Sequence, residues 1–322
     1  RGPVDLIGQY TQQSALADVI NGRSEWEVLL SIGRLESRYQ VPDVDLGLSS
    51  MLEGIAVNLP APFGKPQGET RPLKVTVTRL AHPDRLIHLS YSDVIRGVMA
   101  LEFRQQATGL ERGQLVLGTT KAELPDARVL GITGRLARFS LAEWLPVLAG
   151  MQGGGGPPVK VDLGIDELEV MQHVLRDVGL QVETAGLVQE ITLTGDSARG
   201  TIELSRTSRG LERVVANMEK LALASLPDAE PEADALTIGP GDFPELHISI
   251  GKLKINDIKL GNTLLDTVRT PDSMKVKQLV VASGMLELRA TGNWRGTRGF
   301  YRSWFDVEIT SGRLDRLLDA FY

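Results

Sequence analysis

The sequence predicts a mainly β protein, built as an antiparallel sheet of meander type that has grown by repetition. Apolar and polar residues alternate along many short segments, which is the pattern of half-buried strands. Turn sequences such as Asn21-Gly22 and Ser283-Gly284 separate these segments. One β segment also recurs 85 positions later in the chain. Such recurrence favours a repeated structural unit over a closed enzyme domain.

The recurring segment occupies residues 161–170 and 246–255, and both copies alternate like strands. Its apolar positions Leu163, Ile165, Leu168 and Val170 reappear as Ile248, Ile250, Leu253 and Ile255, and five residues beyond each copy Leu175 reappears as Leu260.

Further strands are predicted wherever apolar residues stand at every second position. They include Leu73, Val75 and Val77; Ile87, Leu89 and Tyr91; Met99, Leu101 and Phe103; Ile191 and Leu193; Ile202 and Leu204; Leu286 and Leu288; and Phe305, Val307 and Ile309. Short strands joined by tight turns favour antiparallel pairing.

Two short helices are predicted. Ser140 and Glu143 form a capping-box sequence ahead of an apolar stretch, which places a helix near 141–149. Leu314, Leu317, Leu318 and Phe321 have helical spacing at the end of the chain. Residues 211–226 fit a helical stripe, but 219–225 resemble 277–283, and we predict a strand there.

Two stretches have the composition of linkers. Residues 150–158 are rich in glycine and proline, and residues 227–234 are acidic and contain proline. These breaks predict three segments: 1–150, a first β-groove segment with its helix near 141–149; 159–226, a second β repeat; and 245–322, a third repeat ending in a short helix.

Composition limits the classes of function. The chain has 322 residues, of which 42% are hydrophobic, and a net charge of −6, which argues against a nucleic-acid partner. Without cysteine it has neither disulfides nor zinc–thiolate sites. No apolar run approaches the ~18 residues of a membrane span. Since it starts at Arg1 without a signal-peptide pattern, we expect a fragment whose targeting or anchoring sequence lies outside it.

Catalytic motifs are not evident in the sequence. The glycines 153–156 are followed by prolines, so they do not form a phosphate loop. The histidines lack the spacing of a metal-binding helix; they are His82, His88, His173 and His247. The sequence also has no G-x-S-x-G nucleophile elbow. We therefore predict a protein that is not an enzyme, with no catalytic residues, no metal site and no cofactor.

Several segments resemble the YhdP family, large members of the AsmA-like group. The run Leu59-Pro-Ala-Pro-Phe-Gly-Lys-Pro66, within residues 51–66, resembles one of its motifs. Residues 243–250, then Leu260-Gly261, then Leu286-Glu-Leu-Arg-Ala-Thr-Gly-Asn-Trp294 resemble its later repeat. The resemblance extends from about residue 30 to the end of the chain.

This resemblance implies a periplasmic protein of Gram-negative bacteria, anchored in the inner membrane through a segment absent from this chain. It also implies a β-rich body curled into an elongated groove that moves phospholipid between the inner and outer membranes. Phospholipids are then the expected partners, together with proteins of either membrane. The family offers no catalytic motif to carry over.

The alternation and the resemblance together predict which residues line the apolar groove. Six representatives are Leu163, Ile165, Ile248, Ile250, Leu286 and Leu288. From the residues alone, the same face could instead be the dry core of a sandwich of two sheets. The alternative function is an envelope scaffold that docks a protein partner without transporting lipid. A hydrolase is a third hypothesis, but the sequence shows no cluster of titratable residues for it.

Overall fold

A computed structural model describes residues 2–3, 19–35, 42–82, 84–104, 107–150, 156–207, 210–225, 239–240, 243–284, 286–297 and 300–312. The chain forms two compact units, Arg1–Leu163 and Gly164–Tyr322, which we call unit 1 and unit 2. Both are mainly β, so the predicted fold class is confirmed. The division of the sequence into three segments stays a prediction.

Unit 1 consists of short strands and one helix. Its elements are β1 (Gly2–Pro3), β2 (Ile20–Ser24), β3 (Glu27–Leu35), β4 (Pro42–Ser50), β5 (Ile55–Val57), β6 (Leu73–Thr78), β7 (Arg85–Tyr91), β8 (Ile95–Arg104), β9 (Ala107–Leu117), β10 (Leu130–Ser140) and α1 (Leu141–Gly150). The strands pair in the order β3-β4-β6-β7-β8-β9-β10, while β1, β2 and β5 form a separate small sheet.

Strand β11 (Val159–Val170) runs from unit 1 into unit 2. Unit 2 continues with β12 (His173–Ala185), β13 (Val188–Gly195), β14 (Ala198–Thr207), β15 (Gly210–Ser225), β16 (Glu245–Ile255), β17 (Ile258–Thr270), β18 (Ser273–Ala282), β19 (Leu286–Thr297) and β20 (Phe300–Ser311). From β12 to β20 each strand pairs with the next one in sequence.

Most neighbouring strands are antiparallel, as the short turns predict. Among the pairings whose register the structure describes, two are parallel instead, β9 with β10 and β15 with β16. A parallel pair needs a crossover of about a dozen residues or more, because the chain must return to the same end of the sheet. The connection from β9 to β10 covers residues 118–129, and that from β15 to β16 covers residues 226–244. The acidic stretch 227–234 falls between these two strands in the sequence and lies outside the described residues.

The predicted helix after Ser140 is present as α1, with Pro146 inside it. Trp144 of this helix stacks on Phe139, with ring centroids 5.7 Å apart, and meets the edge of Phe63 at 5.3 Å. The strand predicted for 219–225 is also present, as the second half of β15. The helix predicted from Leu314 to Phe321 lies outside the described residues.

Candidate apolar ligand surface

Unit 2 presents a sheet face on which apolar side chains line up across successive strands. Residues that pair directly on neighbouring strands project to the same face. The pairing registers join one residue from each strand, β12 to β20, into a row that is apolar throughout. This Ile248 row is Val182, Ile191, Ile202, Ala216, Ile248, Leu265, Leu279, Ala290 and Val307.

A second row runs beside the first on the same face, two residues along each strand. This Ile250 row is Leu180, Leu193, Gly200, Met218, Ile250, Thr263, Val281, Leu288 and Ile309. Thr263 is its polar member, and its hydroxyl is buried without a hydrogen-bond partner. Because neighbouring strands lie about 4.8 Å apart, both rows form long continuous tracks across the sheet.

The opposite face of unit 2 is polar. The positions next to the Ile248 row, on the side away from the Ile250 row, form a row made of Glu183, Glu190, Glu203, Val215, His247, Asp266 and Gln278. His247 Nδ1 lies 2.7 Å from Asp266 Oδ1 across β16 and β17. Unit 2 is therefore amphipathic, since one face is apolar and the other carries charges that water can solvate.

Burial along the apolar rows is uneven. Met218 and Ile250 are buried, whereas Ile202, Leu265 and Leu279 keep an intermediate exposure. At β20 the same rows become exposed, with Val307 48% and Ile309 56% accessible. A tightly packed core would exclude water from every member, so these rows combine packed positions with accessible apolar surface.

Unit 1 has the same organisation. Its pairing registers define the Ile87 row, made of Leu30, Leu46, Val77, Ile87, Met99, Gly113 and Leu130. The parallel Leu89 row is Val28, Leu48, Val75, Leu89, Gly97, Leu115 and Ile132. On the opposite face, Val98 and Val116 pack against Ala122 of the β9–β10 crossover. That crossover thus covers the reverse face and not the two rows.

One end of the apolar face in unit 1 is closed by a loop. Leu52, Ile55 and Tyr91 form a buried cluster there, against which Leu73 and Ile95 pack. The Tyr91 hydroxyl donates a hydrogen bond to the Phe63 carbonyl at 3.0 Å. Burial raises the pKa of the Tyr91 phenol, although the neighbouring Arg71 acts in the opposite direction.

The Leu59–Pro66 motif belongs to this closing loop. Lys65 is 3% exposed, and its ammonium donates to the carbonyls of Leu52, at 3.0 Å, of Pro66, at 3.1 Å, and of Ile55. Burial lowers the pKa of Lys65. A buried cation needs such acceptors, because removing it from water is costly. Lys65 of the motif therefore holds the loop together.

The structure brings four of the six predicted lining residues to one face of unit 2. Ile248 and Ile250 are neighbours on β16, and Leu286 and Leu288 are neighbours on β19. Leu163 and Ile165 share one face of β11 and are 6% and 1% exposed. Whether these six residues line a lipid groove stays a prediction.

Several accessible members of the rows were not among the six predicted lining residues. Leu265 and Leu279 extend the Ile248 row, and Ile87 and Leu89 define rows in unit 1. The alternation of apolar and polar residues within each strand is the sequence signal that indicates such residues. Their alignment across strands was not predictable, because irregularities such as that between Ile250 and Leu253 shift the register.

The tryptophan near the end of β19 belongs to an aromatic cluster. Strand β19 continues to Thr297, and Trp294 packs against Phe243 and Tyr301 with ring centroids 5.5 and 5.9 Å away. Arg295 donates to Asp272 at 3.0 Å.

In the part of the chain that the structure describes, no group of three or more histidine, aspartate or glutamate side chains could hold a metal ion. Within the same ranges, no helix is long and apolar enough to cross a membrane.

Comparison with known proteins gives one match. The family model described as YhdP protein matches residues 2–322, which is nearly the whole chain. No curated protein and no solved structure matches significantly. The match covers both units with their apolar rows and the closing loop that carries the Leu59–Pro66 motif. The chain therefore belongs to the YhdP protein family.

Proposed function

We propose that this chain is a segment of a periplasm-spanning bridge that carries phospholipid between the inner and outer membranes. Membership of the YhdP family makes it an AsmA-like protein of the Gram-negative envelope. The observation that carries the proposal is the Ile248 row, which is apolar on every strand from β12 to β20. Acyl chains lie across such rows while headgroups remain in a polar environment.

The rows suit transport better than tight binding. Each methylene transferred from water to an apolar surface contributes about 0.8 kcal/mol, so an acyl chain is held without any specific contact. Because each strand presents similar side chains about 4.8 Å from the last, neighbouring positions are similar in energy. A lipid can then move from one position along the row to the next, because no single deep binding site holds it back.

Photocrosslinking tests this proposal at matched positions. Leu265 on the apolar face and His247 on the polar face both have intermediate exposure and sit on adjacent strands. A benzophenone amino acid at Leu265 is expected to crosslink radiolabelled phospholipid in envelopes, and the same residue at His247 is not. Equal labelling at both positions, or none at Leu265, would contradict the proposal.

A scaffold function is the second candidate, and one observation favours it. Trp304 lies on the polar face of β20 and is 60% exposed, which is typical of a protein-docking residue. Native mass spectrometry of the purified chain separates the two functions. Co-purified phospholipid supports the bridge, whereas a lipid-free chain that captures an envelope protein through Trp304 supports the scaffold.

A further inference from the structure

The apolar face of unit 2 has two different ends. Along β14 the residues on this face run from Ala198 through Gly200, Ile202 and Leu204 to Arg206. Ala198 is fully buried, and its end of the face also holds Val178, 1% exposed, and Leu286, 8% exposed. Arg206 at the other end keeps an intermediate exposure. One end is therefore sealed, and the other carries a cation.

Strand β17 shows the same difference between its two ends. Leu265, Thr267 and Arg269 follow one another on the apolar face, and Arg269 lies at the same end as Arg206. The Arg269 backbone N–H donates to Glu245 Oε1 at 3.3 Å, and Glu245 also lies 3.6 Å from Arg213, which projects from the opposite face. The acidic group in this region is thus already engaged by its neighbours.

Aromatic residues occupy the arginine end. Trp294 pairs with Met274, which in turn pairs with Arg269, so all three share the apolar face. The rings of Phe243 and Tyr301 both pack against Trp294. Aromatic side chains with a polar edge favour the boundary between hydrocarbon and a wet, charged layer. This end of the face has the composition of such a boundary.

Arg206 itself shows an unsatisfied donor. Its Nε atom is buried and has no hydrogen-bond partner. A buried guanidinium N–H without an acceptor is costly, and a phosphate oxygen is an acceptor that guanidinium groups prefer. A phosphate oxygen of a bound ligand would therefore supply the acceptor that the Arg206 Nε–H lacks.

Unit 1 shows the same polarity independently. On β7 the apolar face carries Tyr91, Leu89, Ile87 and Arg85 in order. Tyr91 belongs to the sealed cluster, while Arg85 lies at the other end and donates through Nε to the His82 carbonyl at 3.0 Å. Six residues of strand separate Tyr91 from Arg85, about 20 Å at 3.4 Å per residue.

We infer that the arginine end of each apolar face binds the phosphate of a phospholipid, with Arg206 and Arg269 serving this role in unit 2, while the acyl chains point toward the sealed end. This inference rests on the proposed function and adds the orientation of the lipid. A phospholipid bound in the opposite orientation would place its phosphate among the buried apolar side chains of Val178, Ala198 and Leu286. Electrostatic and apolar complementarity therefore select one orientation.

Fluorescence quenching tests the orientation directly. In a chain with Trp26→Phe, Trp144→Phe and Trp304→Phe, Trp294 is the remaining tryptophan. This variant is loaded with phosphatidylglycerol brominated either near the ester or near the methyl end of its acyl chains. Bromine near the ester should quench Trp294 more strongly. Equal quenching, or stronger quenching by the methyl-end bromine, would overturn the inference.

A second measurement uses the chain with all four tryptophans in place, together with a control variant that removes the same number of charges. Arg206→Gln with Arg269→Gln should lower the retained phosphatidylglycerol about tenfold, the loss of a charged hydrogen bond. Diacylglycerol, which lacks the phosphate, should be retained as before. The control, Arg199→Gln with Arg289→Gln, removes two exposed charges from the polar face and should change neither lipid.

The outcomes separate the inference from the proposed function. If the native chain retains neither lipid in mass spectrometry, the bridge function fails and the inference fails with it. If it retains both lipids, but the Arg206 and Arg269 substitutions lower them equally or not at all, the orientation alone is wrong.

Discussion

Met171 and Asn256, 85 residues apart in sequence, hold the same position in two equivalent hairpin turns and share a left-handed backbone, with φ of 56° and 51°. Met171 follows β11 and Asn256 follows β16, and each turn is two residues long. The next strands, β12 and β17, also start 85 residues apart, as do β13 and β18. The repeat seen in the sequence is thus a repeat of backbone conformation.

Met171→Asn should stabilise the protein. Asparagine adopts a left-handed φ at a lower cost than methionine, and Met171 is 81% exposed, so little packing is lost. We expect the free energy of unfolding in urea to rise by about 0.5–1 kcal/mol. Gln172→Asn, at the next turn position, is the control and should leave it unchanged. A loss of stability in Met171→Asn would show that the methionine side chain is needed there.

Gly200→Ala should destabilise unit 2. Gly200 has φ +148°, and a Cβ there would lie 2.3 Å from the Asn217 carbonyl oxygen. The strand must shift or the pairing with Met218 must break, so we expect a loss above about 1 kcal/mol in thermal or urea unfolding. Gly68→Ala meets no atom within 4 Å and serves as the control. Equal stability of the two variants would contradict the pairing register of β14 and β15.

Stability should fall as the pH rises above 10, in part through Tyr91. Burial raises the pKa of this phenol in the folded protein, while the unfolded chain titrates near 10. The unfolded state therefore releases its proton first, and the stabilising contribution, complete below pH 10, is lost as the pH rises toward the folded pKa.

The Tyr91→Phe variant isolates this contribution. It cannot ionise, so its free energy of unfolding between pH 9 and 11 should decrease less steeply than that of the native chain. Tyr301→Phe, at an exposed position, is the control. Parallel pH profiles for the native chain and Tyr91→Phe would rule out a titrating Tyr91 as the cause.

Aspartate substitutions at two positions should distinguish a residue needed for folding from a residue needed for ligand binding. Ile165 is 1% exposed, so Ile165→Asp buries an unpaired carboxylate and should prevent folding. Leu265 keeps an intermediate exposure, so Leu265→Asp should fold while retaining less phospholipid. Circular dichroism and mass spectrometry of bound lipid measure the two effects. If Leu265→Asp also fails to fold, the Ile248 row is an ordinary packed core.

Local patterns predicted a large part of the fold. Alternation located strands such as β7 and β11, the capping box located α1, and the likeness of 219–225 to 277–283 located the end of β15. These features depend on residues close together in sequence, where periodicity and capping act. The choice of Ile248 and Ile250 as residues of one apolar face rests on the same kind of information.

Long-range pairing was not accessible in this way. Leu265 and Leu279 align with Ile248 only because β17 and β18 pair in a particular register, and the irregularity beside Thr267 sets that register. The parallel pairs at β10 and β16 and the burial of Lys65 also depend on distant segments. The sequence by itself determined a repeated, two-faced β chain, because side-chain alternation is a local property. Only the tertiary structure decided which apolar residues join into continuous rows and which end carries Arg206 and Arg269, because strand register and the placement of closing segments are fixed by contacts between residues far apart in the chain.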